Sequence, residues 1–219
     1  MKELRLDCRN IKRRVSLSHL VTLVLVNLSS IKTYPATKSR WTDIELLFGE
    51  RGACGGCWCM FWRVPRKQYE ANKGGKNKRA FQKIVTNDEK PGIIAYRGKE
   101  PIGWCAVAPR YVYIGLERSR ILKPVDHNPV WSVSCLFVRK DYRRQGVSSV
   151  LLRAAVEFAA RRGAKIVEGY PAEPANTKMA DAFLWHGVPS AFLAAGFEEV
   201  VRRSQSRPIM RYVIEPSVQ

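Results

Sequence analysis

Acidic side chains are scarce in this sequence. The 219 residues contain 19 Asp and Glu against 38 Lys and Arg, which gives a formal net charge of +19. Such an excess favours a polyanionic partner, for example nucleic acid, an anionic membrane surface or a phosphate-rich ligand. The basic residues are spread along the whole chain, so no single segment is predicted to be a nucleic-acid-binding arm. Hydrophobic residues make up 46% of the chain, which argues against an intrinsically disordered protein.

A long uninterrupted apolar run is also missing. The most apolar stretch, residues 16–28 (SLSHLVTLVLVNL), is too short and too often interrupted by polar residues to predict a membrane span. It follows a basic segment, as in a signal peptide, but no small-x-small cleavage site comes after it. We therefore predict an extension of unknown role at residues 1–30 and one domain at 31–219. We expect a cytoplasmic protein, and secretion or membrane anchoring through this extension is the alternative.

The sequence offers no disulfide framework, because its six cysteines are irregularly spaced and nothing indicates secretion. The stretch GACGGCWCMFW at 52–62 holds Cys54, Cys57 and Cys59. Structural zinc needs a fourth Cys or His ligand, and none lies nearby, so we predict no metal. If CWCMFWR is extended, two of these cysteines share one side of a strand. Redox chemistry, core packing and the wall of a binding pocket are the alternatives.

Hydrophobic periodicity predicts alternating helices and strands. The predicted helices are 41–48, one broken or two short helices in 69–88, then 146–162 and 189–197. The predicted strands are two in 92–109 around a turn at 97–100, then 130–138, 165–171, 199–204 and 208–214. Residues 110–129 have no clear period and are predicted to form a long loop. The strand–helix–strand unit at 130–171 is a parallel crossover among antiparallel strands, so the fold class is mixed α and β.

The junction VRKDYRRQGVS at 138–148 joins a predicted strand to a predicted helix and has the features of an anion site. The free amides and the dipole of a helix start favour negative charge, and Gly146 permits close approach of a ligand. Positive charge comes from Arg139, Lys140, Arg143 and Arg144. Neither the Walker G-K-[ST] nor the dinucleotide G-x-G-x-x-G motif is present. We therefore predict that the loop binds a phosphate group.

This loop resembles the signature of the GCN5-related N-acetyltransferase (GNAT) superfamily, which is Arg or Gln, two residues, Gly, one residue, then Gly or Ala. Arg143, Gly146 and Ser148 stand at those positions, and Ser148 departs from the pattern. The order of elements after Ile31 also fits, including A-F-L-A-A-G-F at 191–197. The resemblance implies a mixed, mostly antiparallel sheet with flanking helices and one parallel strand–helix–strand unit.

The resemblance also implies acetyl-CoA as co-substrate and acetyl transfer to an amine. The loop amides would hold the pyrophosphate, and the preceding strand would offer its backbone to the pantetheine arm. The residues so assigned are Phe137, Val138, Arg143, Arg144, Gln145, Gly146, Val147 and Ser148. The acceptor, an amine-bearing small molecule or peptide, would face Cys57, Trp58, Cys59 and Trp62.

The proton carriers that family members often use are not matched here. The predicted strand at 130–138 has no carboxylate, and Phe192 occupies the place of the usual tyrosine. The substitutes we predict are Glu168, Tyr170 and His127. For Glu168 a structural ion pair with an arginine is the alternative, and His186 is a further titrating candidate. Catalysis by positioning alone, with water as proton acceptor, is also open.

A second class of function is a basic nucleic-acid- or ribosome-associated protein without transferase activity. The net charge of +19 favours it, but the sequence lacks the aromatic-and-basic motif of a known nucleic-acid module. Nucleic acid is therefore a possible partner that the sequence does not require. The oligomeric state is open, a dimer included.

Overall fold

A computed structural model describes Leu28, residues 30–173 and residues 185–215. Its centre is a seven-stranded sheet in the order β1-β2-β3-β4-β5-β7-β6. The strands are β1 (Ile31–Pro35), β2 (Gly92–Arg97), β3 (Glu100–Pro109), β4 (Trp131–Val138), β5 (Ile166–Gly169), β6 (Glu198–Arg202) and β7 (Pro208–Val213). Neighbouring strands are antiparallel except for β4 and β5, which pair in parallel. The predicted mixed, mostly antiparallel sheet is confirmed.

Six α-helices connect these strands within the described residues. They are α1 (Trp41–Phe48), α2 (Arg66–Ala71), α3 (Gly75–Thr86), α4 (Ile114–Glu117), α5 (Val147–Ala160) and α6 (Pro189–Leu193). Short 3-10 turns lie at Lys38–Arg40, Arg110–Val112 and Lys140–Tyr142. The polar stretch at 69–88 thus contributes to two short helices. The predicted loop at 110–129 is wrong in part, because buried Tyr113 and Leu116 anchor a 3-10 turn and α4 there.

Both faces of the sheet are covered, which explains the continuous apolar run of β3. Ile102, Cys105 and Val107 belong to the core cluster that also contains α5. Trp104 and Ala106 belong to a second cluster with α1, α3 and part of the 52–62 stretch. Strands buried on both faces read as unbroken apolar runs rather than alternating ones. The 52–62 stretch therefore lies on the face opposite α5.

The helix α5 is fixed by its apolar stripe and by glycines at both ends. Leu151, Ala155 and Phe158 are buried at helical spacing on one face. Gly146 precedes the helix in a left-handed conformation with φ of 77°. Gly163, at φ of 79°, follows its end. This confirms the helix predicted within 146–162.

The stretch 52–62 is a series of tight turns rather than a strand. Trp58 and Cys59 have φ of 45° and 53°, so the backbone turns where an extended chain would run straight. Gly52 also has a positive φ, and a Cβ there would collide with the Trp58 indole. Asn77 Nδ2 on α3 donates to the Gly56 carbonyl at 3.3 Å and holds the turns in place. The extended interpretation of CWCMFWR is therefore wrong.

The predicted extension at 1–30 lies outside the described residues except for Leu28 and Ser30. Leu28 packs against the core cluster that contains α5. Among the helices that the structure describes, none combines the length and the apolar character needed for a membrane crossing.

Candidate active site

A cleft opens where β4 separates from β5. The two strands pair only from Trp131–Val133 to Val167–Gly169. Beyond this point the Leu136 amide donates to the Trp185 carbonyl at 2.7 Å, so residues after β5 lie between the diverging strands. A register shift against β3 leaves Ser134 as an additional residue in β4. Such bulges bend a strand and are common beside active sites.

The loop between β4 and α5 is held by side-chain contacts on both sides. Tyr142 donates to Glu100 Oε2 at 2.5 Å, and Arg139 forms an ion pair with the same carboxylate. These two hydrogen bonds lower the pKa of Glu100. Arg143 Nε donates to the Val138 carbonyl at 3.1 Å and so ties the loop to the end of β4. The loop is thereby preorganised before any ligand binds.

The backbone amides of residues 144–148 form no backbone hydrogen bond with another described residue. They surround the start of α5, where the helix dipole adds positive potential. Arg144 and Gly146 have φ of 59° and 77°, the left-handed conformation that occurs in anion-binding nests. A Cβ on Gly146 would lie 3.1 Å from Leu28, so the position is crowded as well as left-handed.

Three neighbouring cavities extend from the loop and the start of α5 along β4. The first, the loop cavity, measures about 410 Å³ and lies against Tyr142, Gly146, Val147 and Ser149. The second, the cleft cavity, measures about 400 Å³ and lies against Leu136, Phe137, Trp185 and Gly187. The two share Val138, Arg143, Arg144, Ser148 and Val188. A ligand anchored at the loop can therefore extend along β4 without a break.

The third cavity, the thiol pocket, measures about 150 Å³ and contains Cys57, Cys59 and Cys135 in its wall. Burial, followed by the proximity of Cys59, raises the pKa of Cys57 to about 11. A hydrogen bond with Cys59, followed by burial, raises the pKa of Cys135. Both thiols are therefore protonated at neutral pH. In the described part of the chain, no group of three or more His, Cys, Asp or Glu side chains is arranged to hold a metal ion.

The structure brings together seven of the eight residues predicted to bind acetyl-CoA. These line the loop cavity or the cleft cavity: Phe137, Val138, Arg143, Arg144, Gly146, Val147 and Ser148. Gln145 differs, because its side-chain amide turns back and donates to the Asp141 carbonyl at 2.7 Å.

The predicted acceptor residues divide into two groups. Cys57 and Cys59 line the thiol pocket. Trp58, by contrast, is only 3% exposed, packs against Phe48 with ring centroids 5.6 Å apart, and does not line the thiol pocket. The left-handed backbone at Trp58 turns its indole into the core. Trp62 lies behind the pocket wall, edge-on to Phe61 at 4.9 Å.

Glu168 and Tyr170, two of the predicted proton carriers, belong to a buried ionic network. Glu168 is 0% exposed, and Arg211 Nε donates to its Oε2 at 2.7 Å. Arg110 and Tyr170 donate to its Oε1 at 3.1 and 2.7 Å. The Tyr170 hydroxyl also contacts Ser132 at 2.8 Å, and burial raises its pKa. Neither group reaches the cleft.

His127, the third predicted proton carrier, lies near the start of β4, away from the loop between β4 and α5. It lines a separate cavity of about 640 Å³ together with Trp131, at the start of the strand. The loop between β4 and α5, called the anion loop below, follows Val138 at the other end of the same strand. His186 is nearer to the cleft, because its neighbours Trp185 and Gly187 line the cleft cavity. Its own ring is 2% exposed, however, and stacks on Trp185 with centroids 3.6 Å apart.

Other cleft residues had no signal in the sequence. Tyr69 lies in a stretch that reads as polar and basic, yet it is buried in the thiol pocket. Trp185 and Val188 line the cleft cavity from a segment with no periodic pattern. Phe192, at the position of the usual tyrosine, has no hydroxyl, and its ring is fully buried.

The fold is a mixed α/β sheet in which a loop with free backbone amides lies at the opening of a parallel strand pair. A family model described as the Acetyltransferase (GNAT) family matches residues 58–187, more than half of the chain. The chain therefore belongs to the GNAT acetyltransferase family. No curated protein sequence matches it significantly.

Solved structures share the fold at low sequence identity. A GNAT-family acetyltransferase from Streptococcus agalactiae is 12% identical, with a TM-score of 0.51 over 85% of this chain and 96% of that one. One from Listeria monocytogenes is 7% identical, with a TM-score of 0.50 over 84% and 95%. The PaiA N-acetyltransferase of Thermoplasma acidophilum, solved in complex with coenzyme A, is 14% identical, with a TM-score of 0.46 over 84% and 99%.

Proposed function

We propose that the protein transfers an acetyl group from acetyl-CoA to the nitrogen of an amine. The observation that carries this proposal is the unbroken series of loop cavity, cleft cavity and thiol pocket. It provides an anion site, a channel along β4 and a separate pocket for a second substrate, in that order. Membership of the acetyltransferase family supports the reaction class.

In this proposal the pyrophosphate of acetyl-CoA lies in the loop cavity. The amides of residues 144–148 donate to it, and Arg143 and Arg144 supply positive charge. The pantetheine arm follows Phe137 and Val138 through the cleft cavity. The Leu136 amide is already bonded to Trp185, so the arm pairs with the part of β4 nearer to the loop.

The transfer depends on positioning rather than on a strong base. The amine nitrogen attacks the thioester carbonyl and loses one proton, while the departing thiolate gains one, so no net proton is consumed. Among the described residues lining the cleft cavity there is neither a carboxylate nor a histidine. We infer that water carries the proton and that the enzyme contributes by holding a neutral amine against the carbonyl.

A pair of charge reversals tests this assignment. Arg144→Glu places negative charge in the loop cavity, and Arg161→Glu makes the same change at the exposed far end of α5. At about 100 times its Kd, acetyl-CoA should stabilise the wild type by about 2.7 kcal/mol, or roughly 5 to 10 °C in Tm. Arg161→Glu should keep this shift and Arg144→Glu should lose most of it.

Release of free thiol from acetyl-CoA in the presence of an amine panel completes the test. Wild type and Arg161→Glu should release thiol in step with amine acetylation, and Arg144→Glu should require much more acetyl-CoA. The proposal is wrong if acetyl-CoA does not stabilise the wild-type protein and no thiol is released.

A further inference from the structure

The thiol pocket indicates which class of amine the enzyme accepts. The pocket and the cleft cavity share Ala53, Cys54, Phe137 and Trp185. A group bound in the pocket is therefore adjacent to the end of β4. Under the proposed function the thioester of acetyl-CoA lies there, so the pocket is the place for the body of the acceptor.

The size of the pocket limits that body to one ring. Its volume is about 150 Å³. A dry apolar protein cavity of about 150 Å³ holds a benzene molecule. A linear alkyl chain of a few carbons would fill less of this volume, and a two-ring group would exceed it. Shape complementarity thus favours a single ring.

Apart from the exposed side chains Arg66, Glu70 and Lys73, which form its rim, the wall of the pocket is aromatic and uncharged. Phe61 lies edge-on to Tyr69 and to Trp185, with ring centroids 5.2 Å apart in each case. The sulfur atoms of Cys57 and Cys135 complete the wall as neutral thiols. Aromatic edges and soft sulfur atoms both interact favourably with a bound ring. A cationic group among these rings would lose its hydration, and Glu70 is already paired with Arg66 and Lys73.

The rim of the pocket disfavours a polycation. Among the described residues that line the pocket, Glu70 supplies the carboxylate, and two cations already neutralise its negative charge. Arg66 pairs with Glu70 at 2.5 Å, and Lys73 forms a second ion pair with it. The rim therefore carries a net positive charge, which repels a polyamine with its several positive charges more strongly than a monoamine with one.

We propose that the acceptor is an arylalkylamine, a monoamine with one benzene-sized ring, bound with the ring in the thiol pocket and the nitrogen in the cleft cavity. The nitrogen forms a bond to the acetyl carbon, the carbon–sulfur bond of the thioester breaks, and the proton lost by nitrogen ends on the sulfur of CoA. The products are the N-acetylated amine and free CoA.

Binding of the ring is tested without any chemistry. 2-Phenylethanol has the ring and linker of 2-phenylethylamine but no amine, and its binding can be followed by titration calorimetry or ligand-observed NMR. It should bind the wild-type protein, while propanol at the same concentration should not. Because the aromatic ring of 2-phenylethylamine is buried in the pocket and the methyl end of propylamine buries less apolar surface, kcat/KM for 2-phenylethylamine should exceed that for propylamine about tenfold or more.

Two substitutions change the pocket in opposite directions. Cys57→Leu fills it and should reduce the 2-phenylethylamine to propylamine ratio about tenfold, through KM of the amine. Cys57→Ala enlarges it and should shift the preference toward 2-(1-naphthyl)ethylamine. Cys105→Ala is the matched control, because Cys105 lies in the core cluster on the opposite face of the sheet. It should leave the ratio unchanged.

The outcomes separate this assignment from the proposed function. Thiol release with propylamine or spermidine that exceeds release with 2-phenylethylamine, together with no binding of 2-phenylethanol, overturns the arylalkylamine assignment and leaves acetyl transfer intact. No thiol release with any amine overturns both. A preference for 2-phenylethylamine that Cys57→Leu abolishes and Cys105→Ala preserves supports both.

Discussion

At the scale of single residues, His186 combines complete burial with unsatisfied ring nitrogens. Neither Nδ1 nor Nε2 has a hydrogen-bond partner among the described residues, and burial, followed by the charge of Arg207, lowers the pKa of the ring well below 6.5. The folded protein therefore keeps this histidine neutral where the unfolded chain protonates it. Below about pH 6.5 the unfolded state binds more protons, so acid should weaken the fold through this one side chain.

The expected size of this effect is about 1.4 kcal/mol for each pH unit below the unfolded pKa. Urea unfolding at about pH 7.5 and about pH 5.5 should thus give a loss near 1.4 kcal/mol that is absent in His186→Phe, which keeps a ring for Trp185. His127→Asn serves as the control, because His127 is exposed, and it should retain the full loss. An equal acid loss in wild type and His186→Phe would contradict the assignment.

Some residue-level features could be predicted from the sequence, and others could not. Arg143, Gly146 and Ser148 are found together because a contiguous motif places them together. Glu168 could be assigned to a strand but not to its partners, because Arg110 and Arg211 approach it from distant parts of the chain. Burial of Trp58 could not be predicted, because the left-handed backbone that turns it into the core has no marker in the sequence.

At the scale of elements, Glu168 joins three parts of the fold. It lies on β5 and bonds Arg211 on β7 and Arg110 in the turn after β3. Asp126 also binds Arg211, at 2.5 Å, and this contact lowers the pKa of Asp126 to about 2. The network holds β5 where it leaves β4 and so maintains the opening of the cleft.

Glu168→Gln should therefore lower the free energy of unfolding without impairing catalysis. Removal of the carboxylate leaves two arginines without their buried counter-charge, which should cost about 3 to 5 kcal/mol in urea unfolding. Glu199→Gln breaks an exposed pair with Arg202 on β6 and should cost less than about 1 kcal/mol. Under conditions where Glu168→Gln is fully folded, its kcat should stay near the wild-type value. A large loss of kcat in the folded variant would instead support a catalytic role for Glu168.

Elements with a regular period were predictable, and those anchored by scattered contacts were not. The unit of β4, loop and α5 emerges because strand and helix periods meet at a glycine. The helix α4 was missed because Tyr113, Leu116 and Leu122 are buried without forming a repeating pattern. The cleft wall at 185–188 was missed because only the tertiary bonds to Leu136 and Ala172 place it between β4 and β5.

At the scale of the whole molecule, the net charge of +19 acquires a specific use under the proposed function. Acetyl-CoA is strongly anionic through its phosphate groups. A protein of high opposite charge raises the rate at which such a ligand arrives, and dissolved salt removes this effect. The charge that first suggested a nucleic-acid partner then acts as a steering field for the co-substrate.

The salt dependence of kcat/KM for acetyl-CoA distinguishes this field from the local anion site. The Debye length falls from about 30 Å at 0.01 M to about 3 Å at 1 M salt, so kcat/KM should fall at least about tenfold across this range. Changing Arg118, Arg120 and Lys123 together to Gln removes exposed positive charge remote from the anion loop. This variant should be slower than wild type at low salt and equal to it at high salt. Arg144→Gln removes charge inside the loop cavity and should be slower at every salt concentration. If kcat/KM of the wild type does not change with salt, acetyl-CoA is not steered, and the excess charge serves another partner.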